Sequence, residues 1–136
     1  MMHILFLCVA NSARSQMAEG LARKMLAGKA NIQSAGSKPS KVNPYAVQVM
    51  KEIGIDISSH YSKPVTSINL EKVDLIITLC AEEVCPVVPT KIKQLHWPIP
   101  DPTGEGEAEI QLGRFRQARE RISGFLQDFP RAGKMW

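Results

Sequence analysis

His3–Met25 reads HILFLCVANSARSQMAEGLARKM. Its opening residues form a short apolar run that is typical of a buried strand. Further apolar side chains then recur at the spacing of a helix: Ala18, Leu21, Ala22 and Met25. The pattern predicts a strand that ends at Cys8, a turn, and a helix that opens at Arg14. A strand that leads directly into a helix is typical of an α/β fold.

The turn between Cys8 and Arg14 has the features of an oxyanion cradle. Successive backbone N–H groups can converge on one point there, and the helix N-terminus adds its positive dipole, so a tetrahedral anion is favoured. The same field favours the nucleophilic thiolate of Cys8, while the planar fork of Arg14 suits two anion oxygens. We therefore predict that the oxyanion is bound by the residues after Cys8: Val9, Ala10, Asn11, Ser12, Ala13, Arg14 and Ser15.

Simpler interpretations of the same residues exist. Cys8 could be a packed thiol at a strand end and Arg14 a solvated helix residue, but the strand, loop and helix fall where the chemistry requires them. Asn11 can adopt a left-handed backbone or tie the loop, and Ser15 can donate a hydrogen bond that stabilises the thiolate. Either could instead be a helix cap, and Ser12 is expected to act through its backbone N–H.

The composition is that of one ordinary globular domain. The chain has 136 residues, 44% of them hydrophobic and 22% charged, and no linker or repeat divides it, so we expect residues 1–136 to form a single domain. The N-terminus lacks a basic segment and its apolar run is only about six residues long, which argues against a signal peptide or membrane span and predicts a cytoplasmic protein. The net charge of +4 favours anions, but basic residues are dispersed among few aromatics, so we expect no nucleic-acid binding.

The rest of the chain alternates between strand and helix patterns. Strands are predicted for Asn31–Ala35, Val73–Leu79 and Lys93–Trp97, the second with the apolar character of a central parallel strand. Asn43 and Pro44 predict the start of a helix whose apolar stripe is Ala46, Val47, Met50 and Ile53. A long closing helix is indicated by Ile110, Phe115, Ala118, Ile122, Phe125 and Phe129.

These elements predict an α/β fold with a central, mostly parallel four-stranded sheet flanked by helices. Ligand sites in such sheets lie beyond the carboxyl ends of the strands. Cys8, Cys80 and Asp101 each follow a predicted strand, so we expect all three at one edge of the sheet. Asp101 could protonate a leaving oxygen there, although an Asp-Pro pair is also common in turns for backbone reasons alone.

Cys80 and Cys85 are separated by four residues in a segment without clean periodicity. Three cysteines do not complete a disulfide framework, and the three histidines show no metal-ligand spacing with them, so we expect no metal or other cofactor. Cys80 alone could be a small buried side chain. A redox relay accounts for both, in which Cys80 attacks an adduct on Cys8 and Cys85 then attacks the resulting disulfide.

The run from Cys8 to Gly20 resembles the thioredoxin-coupled arsenate reductases, which share the fold of the low-molecular-weight protein tyrosine phosphatases. Later segments resemble the same family in order: Ser34-Ala35-Gly36, Asn43-Pro44, Asp56-Ile57-Ser58, Thr78-Leu79-Cys80, Cys85-Pro86, His96-Trp97 and Asp101-Pro102. The resemblance implies that Cys8 attacks arsenate and that Cys80 releases arsenite. It further implies that Cys85 takes over the disulfide, which thioredoxin reduces, with Arg14 as clamp and Asp101 as acid.

The chain departs from this family at three places. Ala13 stands where many relatives carry another cysteine, and the spacing between Cys80 and Cys85 is shorter than in well-known relatives. Some relatives bind potassium through residues that match Asn11, Glu19 and Ser34. Lys63 stands where those relatives carry an acidic ligand, so its ammonium could replace the ion, and we expect an activity indifferent to potassium.

Two other functions are alternatives to arsenate reduction. A low-molecular-weight phosphotyrosine phosphatase would use the same Cys8, Arg14 and Asp101, but Thr103-Gly104 stands where such enzymes usually carry ring-gripping aromatics, and the relay cysteines would be superfluous. Weak phosphatase activity is still expected, because phosphate and sulfate mimic arsenate in charge and shape. A non-enzymatic oxyanion sensor would leave Asp101 and the relay unexplained. Glutaredoxin with glutathione is the alternative reductant, and we expect a monomer.

Overall fold

The computed structural model describes residues 1–81 and 91–132, with side chains as far as residue 129. Its sheet has four parallel strands, β1 (Met2–Cys8), β2 (Ala30–Gly36), β3 (Leu75–Thr78) and β4 (Lys93–His96), in the order β2-β1-β3-β4. β1 is therefore an interior strand, paired with β2 on one side and β3 on the other. The predicted parallel α/β sheet is confirmed.

Three helices accompany the sheet: α1 (Arg14–Met25), α2 (Pro44–Lys51) and α3 (Ala108–Ala132). α2 begins as predicted, because the Asn43 side chain accepts a hydrogen bond from the backbone N–H of Tyr45 at 2.8 Å and Pro44 occupies the first turn. Two short 3₁₀ turns, Val65–Ser67 and Leu70–Lys72, precede β3.

The two faces of the sheet are covered differently. Ile4 and Phe6 of β1 pack into the core shared with all three helices, whereas Leu5 and Leu7 pack against a smaller cluster contributed by the segment before β3 and by β3 itself. Alternate side chains of a strand point to opposite faces, so β1 is buried on both. This double burial holds the end of β1 at a defined depth in the molecule.

The apolar stripe of α2 differs from the prediction at one position. The expected stripe on α2 included Ile53, but α2 ends at Lys51 and Ile53 is 36% exposed. Val49 is fully buried in its place, next to Ala46 and Met50. Gly54 has φ +79°, a left-handed conformation that ends helices. The chain turns away at this residue, so the helical period does not continue past Ile53.

Trp97 packs between the long helix α3 and the sheet. Its ring stacks on Phe125 at a centroid distance of 5.2 Å and meets Phe129 edge-on at 5.7 Å, and Phe6 of β1 lies 6.1 Å away. These contacts place α3 beside the chain that leaves β4. In the part of the chain that the structure describes, none of the helices is both long and apolar enough to cross a membrane.

Candidate active site

The turn that follows β1 is held by backbone hydrogen bonds from the segment after β2. The carbonyl oxygens of Val9, Ala10 and Ser12 accept hydrogen bonds from the N–H groups of Lys38, Ser40 and Asn43 at 2.9, 3.1 and 2.8 Å. Because its carbonyls are engaged on that side, the turn is free to present N–H groups on the other. This is the arrangement expected of an anion-binding turn.

Gly36, at the end of β2, lies against the same turn. A Cβ atom at this position would stand 2.4 Å from the carbonyl oxygen of Val9 and 2.9 Å from the nitrogen of Asn11, both of them backbone atoms. No side chain fits into that space without displacing the turn. The glycine therefore permits the close approach of the two chain segments.

Asn11 shapes the turn around the Cys8 sulfur. It adopts a left-handed backbone with φ 50°, as predicted, and its N–H donates a hydrogen bond to Cys8 Sγ at 3.2 Å. Its side-chain amide donates to Ser15 Oγ at 2.7 Å, and Ser15 Oγ lies 2.8 Å from Cys8 Sγ. Since Ser15 Oγ accepts the amide hydrogen, its own hydrogen can be donated to the sulfur.

A second layer of polar groups fixes Asn11 in turn. Its side-chain oxygen accepts from the Lys63 N–H at 2.9 Å and from Gln16 Nε2 at 3.0 Å, and its backbone oxygen accepts from Ser62 Oγ at 2.7 Å. No role was predicted for Gln16 or Ser62. Gln16 is fully buried in the first turn of α1. A polar side chain on the apolar side of a predicted helix is the sequence feature that indicates such a buried hydrogen-bonding role.

A cavity of about 210 Å³ opens over the turn. Its lining includes the predicted clamp Arg14 and the predicted acid Asp101. Among the described residues, the lining consists of Cys8, Val9, Ala10, Ser12, Ala13, Arg14, Asp101 and Thr103. Asn11 and Ser15, predicted to bind the oxyanion, are not among the lining residues. They are fully buried and contact the Cys8 sulfur instead.

Arg14 is 5% exposed, and its Nη1 donates a hydrogen bond to the carbonyl oxygen of Ile99 at 2.9 Å. Ile99 lies two residues before Asp101, so this bond ties the clamp to the chain that carries the predicted acid. Asp101 is exposed, and its Oδ1 accepts hydrogen bonds from the Thr103 N–H at 3.0 Å and from Thr103 Oγ1 at 2.7 Å. Asp101 is thus a turn residue that also lines the cavity, and its role as an acid stays a prediction.

Cys80 stands just beyond the strand next to that of Cys8. β3 pairs with β1 so that Thr78 is level with Leu7, and the N–H of Leu79 donates to the Leu7 carbonyl at 3.0 Å. Cys80 is 2% exposed and, like Cys8, is present as a thiol. It is not among the residues that line the cavity. Cys85 lies outside the described residues, as do its neighbours from residue 82 to residue 90.

Glu19 is the centre of a polar cluster behind the turn. Its Oε1 accepts from Ser34 Oγ at 2.6 Å and lies 3.9 Å from Lys63 Nζ, and its Oε2 lies 3.0 Å from Arg23 and 3.7 Å from His60. Partial burial lowers the pKa of Lys63 and of His60, while Glu19 acts in the opposite direction on both. Within residues 1–81 and 91–132, no group of three or more histidine, cysteine or acidic side chains has the geometry of a metal site.

The fold and the site together define a class of protein. A cysteine thiol after an interior parallel strand, a backbone turn that opens a helix, a buried arginine and a nearby carboxylate form a site for nucleophilic attack on a tetrahedral oxyanion.

The comparisons with known proteins agree with this class. Residues 3–132 match the family model described as low molecular weight phosphotyrosine protein phosphatase. An arsenate reductase from Halalkalibacterium halodurans is 44% identical over 134 residues, with 96% of each chain covered. The chain belongs to the low molecular weight phosphotyrosine protein phosphatase family and, within it, to the arsenate reductases.

Two solved structures extend the comparison. One is described as an arsenate reductase in the phosphate binding state; it is 34% identical, covers 97% of this chain and 98% of its own, and has a TM-score of 0.82. The other is a thioredoxin-dependent arsenate reductase from Corynebacterium glutamicum, 27% identical with a TM-score of 0.76, which covers 99% of this chain and 63% of its own.

Proposed function

We propose that this protein reduces arsenate to arsenite, with Cys8 as the nucleophile, Cys80 and Cys85 as the relay thiols, and thioredoxin as the reductant. The observation that carries the proposal is the buried Cys80 thiol at the end of β3, directly beside the strand that delivers Cys8. A phosphatase resolves its cysteine adduct with water and has no use for a second thiol at this edge of the sheet. The 44% identity to an arsenate reductase supports the same choice.

In the first step, the Cys8 thiolate attacks arsenic in hydrogen arsenate. A sulfur–arsenic bond forms, an arsenic–oxygen bond breaks, and the leaving hydroxide takes a proton from Asp101 and departs as water. Arg14 and the N–H groups of the turn hold the remaining oxygens. The support is the placement of Cys8, Arg14 and Asp101 around one cavity.

In the second step, the Cys80 thiolate attacks the Cys8 sulfur. A disulfide forms, the sulfur–arsenic bond breaks, and its electron pair stays on arsenic, which is thereby reduced from the +5 to the +3 state and leaves as arsenite. Because Cys80 does not line the cavity, the segment that carries it has to approach Cys8 for this step. The position of Cys80 immediately after a short strand is suited to such a displacement.

In the third step, the Cys85 thiolate attacks Cys80 in the Cys8–Cys80 disulfide. Cys8 is released as a thiolate for the next turnover, and the Cys80–Cys85 disulfide passes to thioredoxin, which is oxidised as the pair is reduced. The thioredoxin dependence of the Corynebacterium glutamicum arsenate reductase supports this choice of reductant. The proposal also includes a monomer in the cytoplasm and a weak phosphatase activity at the same cavity.

The test is arsenate-dependent NADPH oxidation in the presence of thioredoxin and thioredoxin reductase. Cys8→Ser, Cys80→Ser and Cys85→Ser are compared with the unaltered chain, and each is expected to abolish turnover. Robust p-nitrophenyl phosphate hydrolysis that survives Cys80→Ser and Cys85→Ser, without arsenate turnover, would establish a phosphatase instead. Full activity of Cys85→Ser with glutaredoxin and glutathione would replace thioredoxin as the reductant.

A further inference from the structure

The carboxylate of Asp101 is carried by a segment without regular secondary structure. We call residues 99–106, between β4 and α3, the acid loop; they include neither helix nor strand. Asp101 itself is exposed. The position of its carboxylate beside the cavity therefore depends in part on what anchors the loop.

Arginine side chains anchor the acid loop near each end. At its start, Arg14 Nη1 donates to the carbonyl oxygen of Ile99 at 2.9 Å. On the far side of Asp101, Arg114 of α3 donates from Nε to the Pro102 carbonyl at 3.0 Å and from Nη2 to the Glu105 carbonyl at 2.8 Å. Two donors of one planar fork thus bind two carbonyls that are three residues apart.

The loop follows the outline of this guanidinium closely. A Cβ atom at Gly104, where φ is +148°, would stand 3.4 Å from Arg114 Nη2, and one at Gly106, where φ is +128°, would stand 3.8 Å from Nη1. Both backbone conformations are ones that residues with side chains rarely adopt. Among the described residues Arg114 forms no ion pair, so its hydrogen bonds are given to loop carbonyls and not to a carboxylate.

Thr103 transmits this anchoring to the carboxylate. Its N–H and its hydroxyl both donate to Asp101 Oδ1, at 3.0 and 2.7 Å, and its neighbour Pro102 is held by Arg114. The two Thr103 donors therefore fix the orientation of the Asp101 carboxylate relative to the backbone of the loop.

We propose that Arg114 is a positioning residue that, through the Pro102 and Glu105 carbonyls and Thr103, holds the carboxylate of Asp101 beside the cavity over Cys8. This inference rests on the proposed function, because it assumes that Asp101 is the acid of the first step. Arg114 does not line the cavity over Cys8 and acts only through the loop. It contributes to the rate of the first step and not to the binding of the oxyanion.

The test is the single-turnover rate of arsenite release, with arsenate in excess and no reductant, in Arg114→Gln and Arg121→Gln. Arg121 is the matched control because it lies on the same helix and lines the same small cavity beside Pro102, but makes none of the loop hydrogen bonds. Arg114→Gln is expected to lower the maximal rate about tenfold, as a misplaced catalytic group does, without changing the arsenate concentration at half-maximal rate. Arg121→Gln is expected to match the unaltered chain.

A double-mutant comparison separates positioning from a structural role. In the Asp101→Asn background, Arg114→Gln should cause no further loss, because the group it positions is no longer an acid. An equal loss in both backgrounds, or no loss in either, overturns the proposal. If Arg114→Gln does not fold, Arg114→Lys, which keeps the charge but not the fork, takes its place and is expected to show a smaller loss.

Amide hydrogen exchange at Thr103 provides a measurement that needs no turnover. Arg114→Gln should reduce the protection of this N–H about tenfold, because the hydrogen bond that anchors the neighbouring Pro102 is lost, and Arg121→Gln should leave it unchanged. Unchanged protection in Arg114→Gln overturns the anchoring even if the unaltered chain proves not to reduce arsenate. Absence of arsenate turnover together with lost protection overturns the proposed function alone.

Discussion

Ser15 Oγ lies 2.8 Å from Cys8 Sγ, and both atoms are buried. The Asn11 side chain donates to the same hydroxyl, so the Ser15 hydrogen is directed at the sulfur. A hydrogen bond to a charged acceptor is stronger than one between neutral groups. The Ser15 hydroxyl is therefore placed to donate to the sulfur of the proposed nucleophile, Cys8.

Replacing Ser15 by alanine should slow the reactions of Cys8. One hydrogen bond to a charged group is worth roughly 1.5 kcal/mol, so the rate of Cys8 alkylation by iodoacetamide at neutral pH is expected to fall about tenfold. The rate is measured by mass spectrometry of the Cys8 peptide, which separates it from the other thiols. Ser123→Ala, within α3, is the control. Unchanged alkylation in Ser15→Ala would mean that Ser15 only packs against the sulfur.

Replacing Gly36 by alanine should damage the anion-binding turn from behind. The new Cβ would meet the Val9 carbonyl and the Asn11 nitrogen, and a turn displaced by this much is expected to bind phosphate about tenfold more weakly. Titration calorimetry with inorganic phosphate measures the effect. Gly113→Ala, on α3 where a Cβ meets nothing within 4 Å, is the matched control and should stabilise the helix by about 0.5–1 kcal/mol. Equal phosphate affinity in both variants would contradict the prediction.

Lys63 accounts for the expected indifference to potassium. Its Nζ lies 3.9 Å from Glu19 Oε1, and it also lies 4.7 Å from the centre of the Tyr61 ring, so a positive charge already faces the buried carboxylate. Exchange of sodium for potassium at constant ionic strength leaves screening unchanged and should alter arsenate turnover by less than about twofold. Lys63→Asp, which removes the ammonium and adds a carboxylate, is expected to create a dependence on potassium. A strong stimulation of the unaltered chain by potassium would refute this assignment.

His60 should make the stability of the protein depend on pH. Burial is the main reason why the pKa of His60 lies below its ordinary value of about 6.5; Arg23 and Lys63 lower it further, and Glu19 and Asp56 act against them. Below pH 6.5 the unfolded chain therefore binds more protons at this residue than the folded chain. The free energy of unfolding falls as the pH is lowered from about 6.5 toward the pKa of the folded state.

Urea unfolding between about pH 5 and pH 7 tests the His60 prediction. His60→Asn, which keeps a polar group near Gln16 and Glu19 but does not titrate, should have a smaller pH dependence than the unaltered chain. If the free energy of unfolding changes with pH equally in His60→Asn and in the unaltered chain, His60 does not contribute to the pH dependence of stability.

The elements around the candidate site were predictable because each is specified by neighbouring residues. An apolar run followed by a period of 3.6 predicts β1 and α1, and Asn43 with Pro44 predicts the start of α2; all three are confirmed. Ile53 shows where this reasoning fails. It continues the helical period, but a left-handed glycine follows it, and Val49 fills the core instead.

The residues that support the site were not predictable in the same way. Gln16, Ser62 and Arg114 have no spacing that distinguishes them from ordinary polar residues, and their partners are far away in the chain. Arg114 reaches the acid loop because α3 packs beside the chain that leaves β4, where Trp97 stacks on Phe125. Contacts of this kind follow from packing, which local periodicity does not record.

Residue type and the period of apolar side chains predict the order of strands and helices, and that order is confirmed because both signals are local. The same signals predict the roles of Cys8 and Arg14 and one edge of the sheet for Asp101 and Cys80. Which groups meet at that edge follows only from the packing of the folded chain. The bond from Arg14 to Ile99 spans 85 positions and the bond from Lys63 to Asn11 spans 52. Hydrogen bonds depend on distances of a few tenths of an ångström, and those distances are set when the core packs.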